Sequence, residues 1–356
     1  MNREPSKIQR RRTDIFHTAS PTVLNLISIP SGILLGLILG AVLIVIAGAD
    51  PIASYKIMFS SSLGGKNQII ETLIKACPLL LIGLGLSASF KAKVWNIGAE
   101  GQYYIGALFG WMVGMYGTAL PKPVLIPLML TAGLIGGSLW GLLPAILKIK
   151  NGMNVIISTL MLNYIAILIV QYLARGPLQE PGGFLPRTAK LERIARMPQM
   201  FGTRLHLGCV IALLLVPVVY YIFTSTPLGF KLRAVGSNPK VAKYAGFNVN
   251  LAIFIALIFS GALAGMAGTI EISTAYQRLQ SSISLNYGFN GVLIALLGRT
   301  NPWGVLLTSI FFAALTIGVE NLHVVIGLPV SLSDAIQALV VLSVMVVDSY
   351  IRKKAS

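Results

Sequence analysis

The segment Lys91-Ala-Lys-Val-Trp-Asn-Ile-Gly-Ala-Glu-Gly-Gln102 places two lysines, two amides and a carboxylate at the head of an apolar run that ends near Gly117. Ionisable groups at membrane depth are costly and normally face protein or water rather than lipid. Glycines beside them point to close backbone contact or an interrupted helix, as membrane proteins use where a pathway passes. Asn96, Glu100 and Gln102 are therefore candidates for lining a solute pathway. The alternative for Glu100 is a structural carboxylate bonded to neighbouring helix ends. Asn154, Ser158, Thr159 and Asn163 share one face at near-helical spacing, which adds Asn163 as a candidate for a route taken by an uncharged, hydroxyl-rich solute. The competing reading is hydrogen bonding between helices, about 0.6 kcal/mol per contact. Asn286-Tyr-Gly-Phe-Asn-Gly291 repeats the N-x-G-x-x-G pattern of Asn96–Gly101 before a second apolar run, and it adds Asn286 and Asn290.

No covalent chemistry is legible. The chain contains no G-x-x-x-x-G-K-[ST] phosphate loop, no H-E-x-x-H and no G-x-S-x-G, so it hydrolyses no nucleotide by a recognised route. His17, His206 and His323 lie far apart and form no metal-ligand spacing, and Cys77 and Cys209 form no CxxC. The expectation is a protein that is not an enzyme and binds no metal or cofactor itself.

These residues sit in a chain of 356 residues that is 55% hydrophobic and 11% charged, with mean hydropathy +0.79. Soluble domains carry about 25% charged residues, so the composition is that of an all-α, multi-pass membrane protein. A span needs about 20 mostly apolar residues. Ten segments qualify: 30–48, 69–90, 95–117, 124–147, 153–173, 206–223, 251–270, 284–298, 303–320 and 333–351. The third opens on polar residues, and the eighth is short and rich in glycine and asparagine. The basic run Arg3–Arg12 ahead of an apolar stretch resembles a signal peptide, but that stretch exceeds the usual h-region and reads as a retained span.

The net charge of +17 fits a positive-inside bias better than nucleic-acid binding, since no soluble basic domain is present. With the N-terminus inside, 17 of the 28 basic residues fall on the cytoplasmic side. Arg175, Arg187, Lys190, Arg193, Arg196 and Arg204 fall on the other side, in a long loop punctuated by proline and glycine and expected to form an ordered cap. The domain reading is a cytoplasmic segment 1–29, a membrane domain 30–351 with an outer loop 174–205 and a cytoplasmic loop 224–250, and a cytoplasmic tail 352–356. The two N-x-G-x-x-G segments then enter from opposite sides, as an inverted repeat would have them. The small residues of Gly261–Gly268 read as a helix-packing face.

The cytoplasmic stretch Thr226–Gly246 carries Pro227 and Gly229 at a span exit, a short helical pattern over Phe230–Val235, and a helix start at Asn238-Pro239. A short helix outside the membrane, mixing apolar and basic residues, suits docking into a groove on a soluble partner. A solvated basic loop is the plainer reading.

Lys91–Gln102, Asn151–Asn154 with Ser158–Tyr164, Leu228–Gly246, and Tyr287–Gly291 with Leu297-Gly-Arg299 resemble the permeases of ATP-binding-cassette (ABC) importers. The similarity is greatest to the nucleoside and simple-sugar uptake subgroup of the ribose and branched-chain amino-acid permease family. The resemblance implies a permease subunit of the bacterial cytoplasmic (inner) membrane with both termini inside. It implies partners: a cytosolic ABC ATPase that uses ATP, a second homologous permease, an extracytoplasmic solute-binding protein, and membrane lipid. Gly229, Lys231, Arg233, Gly236, Asn238 and Gly246 would then lie on the segment that couples to the ATPase. Sugar or branched-chain amino-acid import is the alternative within the class. An ion-coupled secondary transporter or channel is the alternative outside it, and the scarcity of deep charges counts against that one.

Overall fold

The computed structural model describes residues 21–200, 202–280 and 282–355. Helix makes up 78% of the described residues, and isolated bridges are the sole β pairing among them. The expected N-terminal segment 1–29 lies outside the described residues up to position 20, as does Ser356 of the expected tail.

The helices form two compact units. One holds α1 (Pro21–Ile46), α2 (Pro51–Leu63), the second half of α12 (Pro302–Ile326) and α13 (Val330–Ala355). Asp50 accepts the Ile52 N–H and caps α2, with Pro51 in the first turn where no donor is needed. α2 leaves α1 at 120°, held by the Tyr55 hydroxyl donating to the Leu37 carbonyl. α1 packs on α13 through Gly32 and Gly36. A Cβ on either would stand 2.5 Å from a valine Cα of α13.

The other unit runs from Ile69 to Ala313. It contains α3 (Lys66–Lys91) from Ile69 on, α4 (Ala99–Tyr116), α5 (Lys122–Asn151), α6 (Val155–Arg175), α7 (Leu207–Ser225), α8 (Pro227–Ser237), α9 (Pro239–Tyr244), α10 (Val249–Glu271), α11 (Tyr287–Leu297) and the start of α12. α10 continues directly into a single π-helical turn, Ile272–Tyr276. At its centre, α5 and α10 cross at backbone contact. A Cβ on Gly137 would lie 2.0 Å from the Gly261 oxygen, and one on Gly265 would lie 2.1 Å from the Gly133 oxygen. The small-residue face of α10 is thus a packing face, as its sequence reads.

Among the described residues, seven helices are long and apolar enough to cross a membrane, and the bent pair α1–α2 counts as an eighth if taken as one span. The ten-span reading is not met at the third and eighth segments. α4 has 18 residues but opens on a buried carboxylate and glutamine, too polar to count as an apolar spanning helix. α11 has 11 residues, a rise of about 16 Å, roughly half the thickness of a bilayer's hydrocarbon core.

The 174–205 segment, described at every position but 201, is tied to the helices beside it. Its backbone pairs with the end of α10 and the turn that follows: Thr188 N–H to Leu279 O, Leu191 N–H to Gln277 O, and Met197 N–H to Ser273 O. Glu180 bridges Arg187 and Arg278 at 3.2 and 3.1 Å. The Trp111 indole donates to Ala189 O, and Leu191 and Ala195 are fully buried. A segment dense in cations is therefore held by backbone pairing, a bridging carboxylate and buried apolar anchors.

Candidate functional site

α3 ends in a turn that puts Lys93 in the left-handed region (φ 53°) and brings Asn96 under the start of α4. The Asn96 Oδ1 accepts the Gly98 N–H at 2.8 Å, closing the turn on itself. Its Nδ2 donates to Gln102 Oε1 at 3.1 Å and to Ser260 Oγ on α10 at 2.9 Å. From α6, the Asn163 Oδ1 accepts the Gly101 N–H at 2.8 Å, and its Nδ2 donates to Ile97 O at 2.7 Å. Gly101 carries one of the first-turn N–H groups of α4 that no intrahelical carbonyl can satisfy, so Asn163 caps α4 from a neighbouring helix. The Thr159 hydroxyl accepts the Ile97 N–H. Ser158 bonds its own helix backbone, and Asn154 caps α6. The polar face of α6 is therefore used in capping and interhelical bonds.

Glu100 closes the arrangement. Its Oε2 accepts the Gly288 N–H at 2.6 Å, and the carboxylate also bonds Ser284. Gly288 is the second residue of α11, so this donor too belongs to a helix start. The carboxylate lies in the first turn of its own helix and against the first turn of another, where both helix dipoles favour a negative charge. The approach leaves no room for a side chain: a Cβ on Gly288 would sit 2.2 Å from the Glu100 nitrogen. Tyr103 donates to Ile283 O at 2.9 Å, and its ring meets Tyr287 edge-on at 6.1 Å.

The two N-x-G-x-x-G segments therefore meet. Asn96, Glu100, Gln102 and Asn163 are each at most 3% exposed and form a buried polar group around the start of α4, in which Asn96 bonds Gln102, Asn163 bonds the Ile97 and Gly101 backbone, and Glu100 bonds across to α11. Asn286 and Asn290 do not join it. Asn286 is exposed, sits in the left-handed region (φ 59°) and makes no side-chain cap bond to α11, and Asn290 is half-buried. The matching asparagines of the two segments thus differ in conformation and burial. Sequence reasoning did not single out Ser260, Ser284 or Gly288. A serine in an apolar helix carries no signal of its own, and the glycine was visible only as part of the repeated pattern.

The Thr226–Gly246 stretch folds into α8 and α9, at the positions its turn residues indicate. Thr226 caps α8 and Asn238 caps α9, its Oδ1 accepting from Lys240 and Val241. Gly229 and Gly236 are close-approach positions. A Cβ on Gly229 would lie 2.4 Å from the Ile222 and Phe223 oxygens, and one on Gly236 would lie 1.9 Å from Lys91 O at the end of α3. Gly246 takes φ +84°. Arg233 donates to Phe223 O in the last turn of α7, a position where a cation also complements the helix dipole. Lys231 is exposed. On α9, Val241 is 60% and Tyr244 93% exposed, beside exposed Lys240 and Lys243.

Among the described residues, seven helices of membrane-crossing length and one broken pair make this a multi-pass membrane protein, in which two shorter helices have starts that meet on a buried carboxylate and a short helix pair, α8 and α9, follows α7. The chain belongs to the family described as branched-chain amino acid transport system / permease component, whose model matches residues 68–345. It is 36% identical over 321 residues to the glucose ABC transporter permease protein TsgB13 of Haloferax volcanii, covering 87% of this chain and 84% of that one. It is 33% identical over 322 residues to the guanosine ABC transporter permease protein NupP of Bacillus subtilis, covering 88% and 90%. NupQ of the same organism, also a guanosine ABC transporter permease protein, is 28% identical over 254 residues, covering 68% and 78%. No solved structure matches the chain.

Proposed function

We propose that this chain is the membrane-spanning permease subunit of an ABC importer that brings nucleosides, or a related sugar-like solute, into the cytoplasm. The observation that carries this reading is the 33% identity to a guanosine permease across 88% of the chain. The 36% identity to a glucose permease favours a simple sugar as the second reading. ATP is used by a cytosolic partner, and an extracytoplasmic binding protein delivers the solute. That NupP and NupQ are two permeases of one organism, both named for guanosine and both similar to this chain, supports a second permease as partner.

In this reading residues 30–351 form the membrane domain, surrounded by lipid, in a bacterial cytoplasmic membrane with both termini inside. The 174–205 segment faces out and the 224–250 segment faces in. α4 and α11 bring the count of membrane segments to ten, entering from opposite sides with their starts meeting at Glu100 and Gly288. The buried cluster of Asn96, Glu100, Gln102 and Asn163 fixes the helix starts that border the solute route, and Asn286 and Asn290 offer amides to the solute. α8 and α9 receive the ATPase: Tyr244 and Val241 are the apolar contacts, Lys231 and the α9 lysines surround them, and Gly229, Gly236, Asn238, Gly246 and Arg233 set the shape of the segment.

Reconstitution of the chain with its second permease, ATPase and binding protein tests the reading. ATP-dependent accumulation of labelled guanosine is expected, with glucose as the comparison solute. Uptake of glucose alone would move the assignment to the sugar reading.

A further inference from the structure

The transport reading gives no task to the chain's two cysteines, yet the fold brings them together. Cys77 of α3 and Cys209 in the first turn of α7 are both free thiols. They line one hollow of about 70 Å³, and their side chains lie within hydrogen-bonding reach of each other. The rest of the hollow is apolar, with Leu73, Leu80, Leu205 and Leu213 among its walls. A water takes about 30 Å³ in the liquid, so the hollow has room for an oxidant little larger than water.

The two thiols are not equivalent. His206, the residue before α7, holds its Nε2 3.6 Å and its Nδ1 3.8 Å from the Cys209 sulfur. A neutral imidazole has one bare nitrogen, and in either tautomer that nitrogen faces the thiol. His206 is itself buried and lies in the field of Glu271, the last residue of α10. That carboxylate favours the imidazolium once a proton arrives. Cys209 keeps 6% of its surface exposed against 2% for Cys77, so it is both the more open thiol and the one with a base beside it. Buried cysteines are inert where nothing draws the proton away, because the thiolate is the nucleophile. At Cys209 that objection is met.

We infer that Cys209 and Cys77 form a peroxide-reactive dithiol that closes to a disulfide tying α3 to α7. His206 takes the Cys209 proton, and the thiolate attacks one oxygen of hydrogen peroxide. The O–O bond breaks, and the leaving hydroxide recovers the proton from His206 as water, which leaves Cys209 as a sulfenic acid. The Cys77 sulfur then attacks the Cys209 sulfur. The S–O bond breaks, and the hydroxide leaves with the Cys77 proton as a second water. Two thiols and one peroxide thus give one disulfide and two waters, the sulfurs losing the two electrons that the peroxide gains. The inference goes beyond the permease reading and stands whichever solute the chain carries.

The test uses the full chain in nanodiscs, treated with hydrogen peroxide and then denatured, alkylated and digested. The expected product is a peptide pair joined through Cys77 and Cys209 within one chain, with both thiols recovered by dithiothreitol. In Cys77→Ala the reaction should stop at the sulfenic acid, which dimedone traps on Cys209. In Cys209→Ala, Cys77 should stay a thiol. His206→Gln should slow disulfide formation about tenfold or more, as loss of a general base does. Alanine suits both cysteine positions because a buried cysteine packs as a small hydrophobe, and the parent result depends on no variant. Thiols of the parent that remain alkylatable after peroxide overturn the inference, as do disulfides formed only between chains. Oxidation of Cys77 undiminished in Cys209→Ala overturns it as well, and so does an unchanged rate in His206→Gln.

Discussion

A carboxylate removed from water inside a membrane protein is costly unless it is hydrogen-bonded, and Glu100 answers that with the Gly288 N–H, Ser284 and the positive ends of two helices. Glu100→Ala leaves the Gly288 N–H without its acceptor and should lower stability by about 1–3 kcal/mol, read as a fall in melting temperature in detergent. Glu100→Gln keeps an oxygen acceptor but gives up the charge. It should therefore melt closer to the parent while losing more of its uptake than of its stability. Normal uptake by Glu100→Gln would reduce the residue to a structural cap. Gly288→Ala meets the same contact from the other side. With a Cβ 2.2 Å from the Glu100 nitrogen, α11 must move, and the overpacking is expected to destabilise by about 1–3 kcal/mol. A variant that melts with the parent would show that the two helix starts are not clamped. The sequence exposed Glu100 as an anomaly but not its partner, because the contact joins positions 188 residues apart and hydrogen bonding across that distance leaves no local pattern.

Helices that face lipid announce themselves by hydropathy. Expected segments 69–90, 124–147, 153–173, 206–223, 251–270 and 303–320 correspond to α3, α5, α6, α7, α10 and α12, with ends displaced by a few residues. α4 is less legible because it is buried by other helices over most of its length, so its composition answers to protein neighbours instead of lipid. α2 lies between the first two expected segments, in neither of them. Its serines bond back to their own helix carbonyls, Ser54 to Asp50, Ser61 to Ile57 and Ser62 to Met58, so polar residues that look like loop serve inside a helix. α8 and α9 were legible for the opposite reason: proline, asparagine and threonine mark their starts directly. For this pair, Tyr244→Ala is expected to weaken the proposed ATPase docking by about tenfold in co-purification, at unchanged melting temperature. Arg233→Glu should also weaken docking. It removes the bond to Phe223 O as well, so it should lower the melting temperature, and the two variants together separate docking from local stability. Unchanged co-purification and ATP turnover in both would exclude α8 and α9 as the coupling surface.

The whole molecule joins a lipid-facing scaffold to two features that lipid does not explain. One is the meeting of two helix starts on Glu100, and the other is the exposed Tyr244 and Val241 on a helix outside the spans. The class was legible because a chain 55% hydrophobic and 11% charged reads as a multi-pass membrane protein and its motif stretches resemble permeases of ABC importers, and family membership over residues 68–345 agrees with that. The count of membrane segments was less legible, since an apolar helix of 11 residues is told from a core helix only by what surrounds it. The central claim is that transport by this chain is powered by a partner's ATP hydrolysis. The direct measurement is labelled guanosine accumulation in proteoliposomes, made with and without the ATPase subunit. The expected result is accumulation only when the ATPase, ATP and the binding protein are all present, with no response to an imposed proton or sodium gradient. Concentrative uptake by vesicles containing this chain alone under an ion gradient would contradict the account.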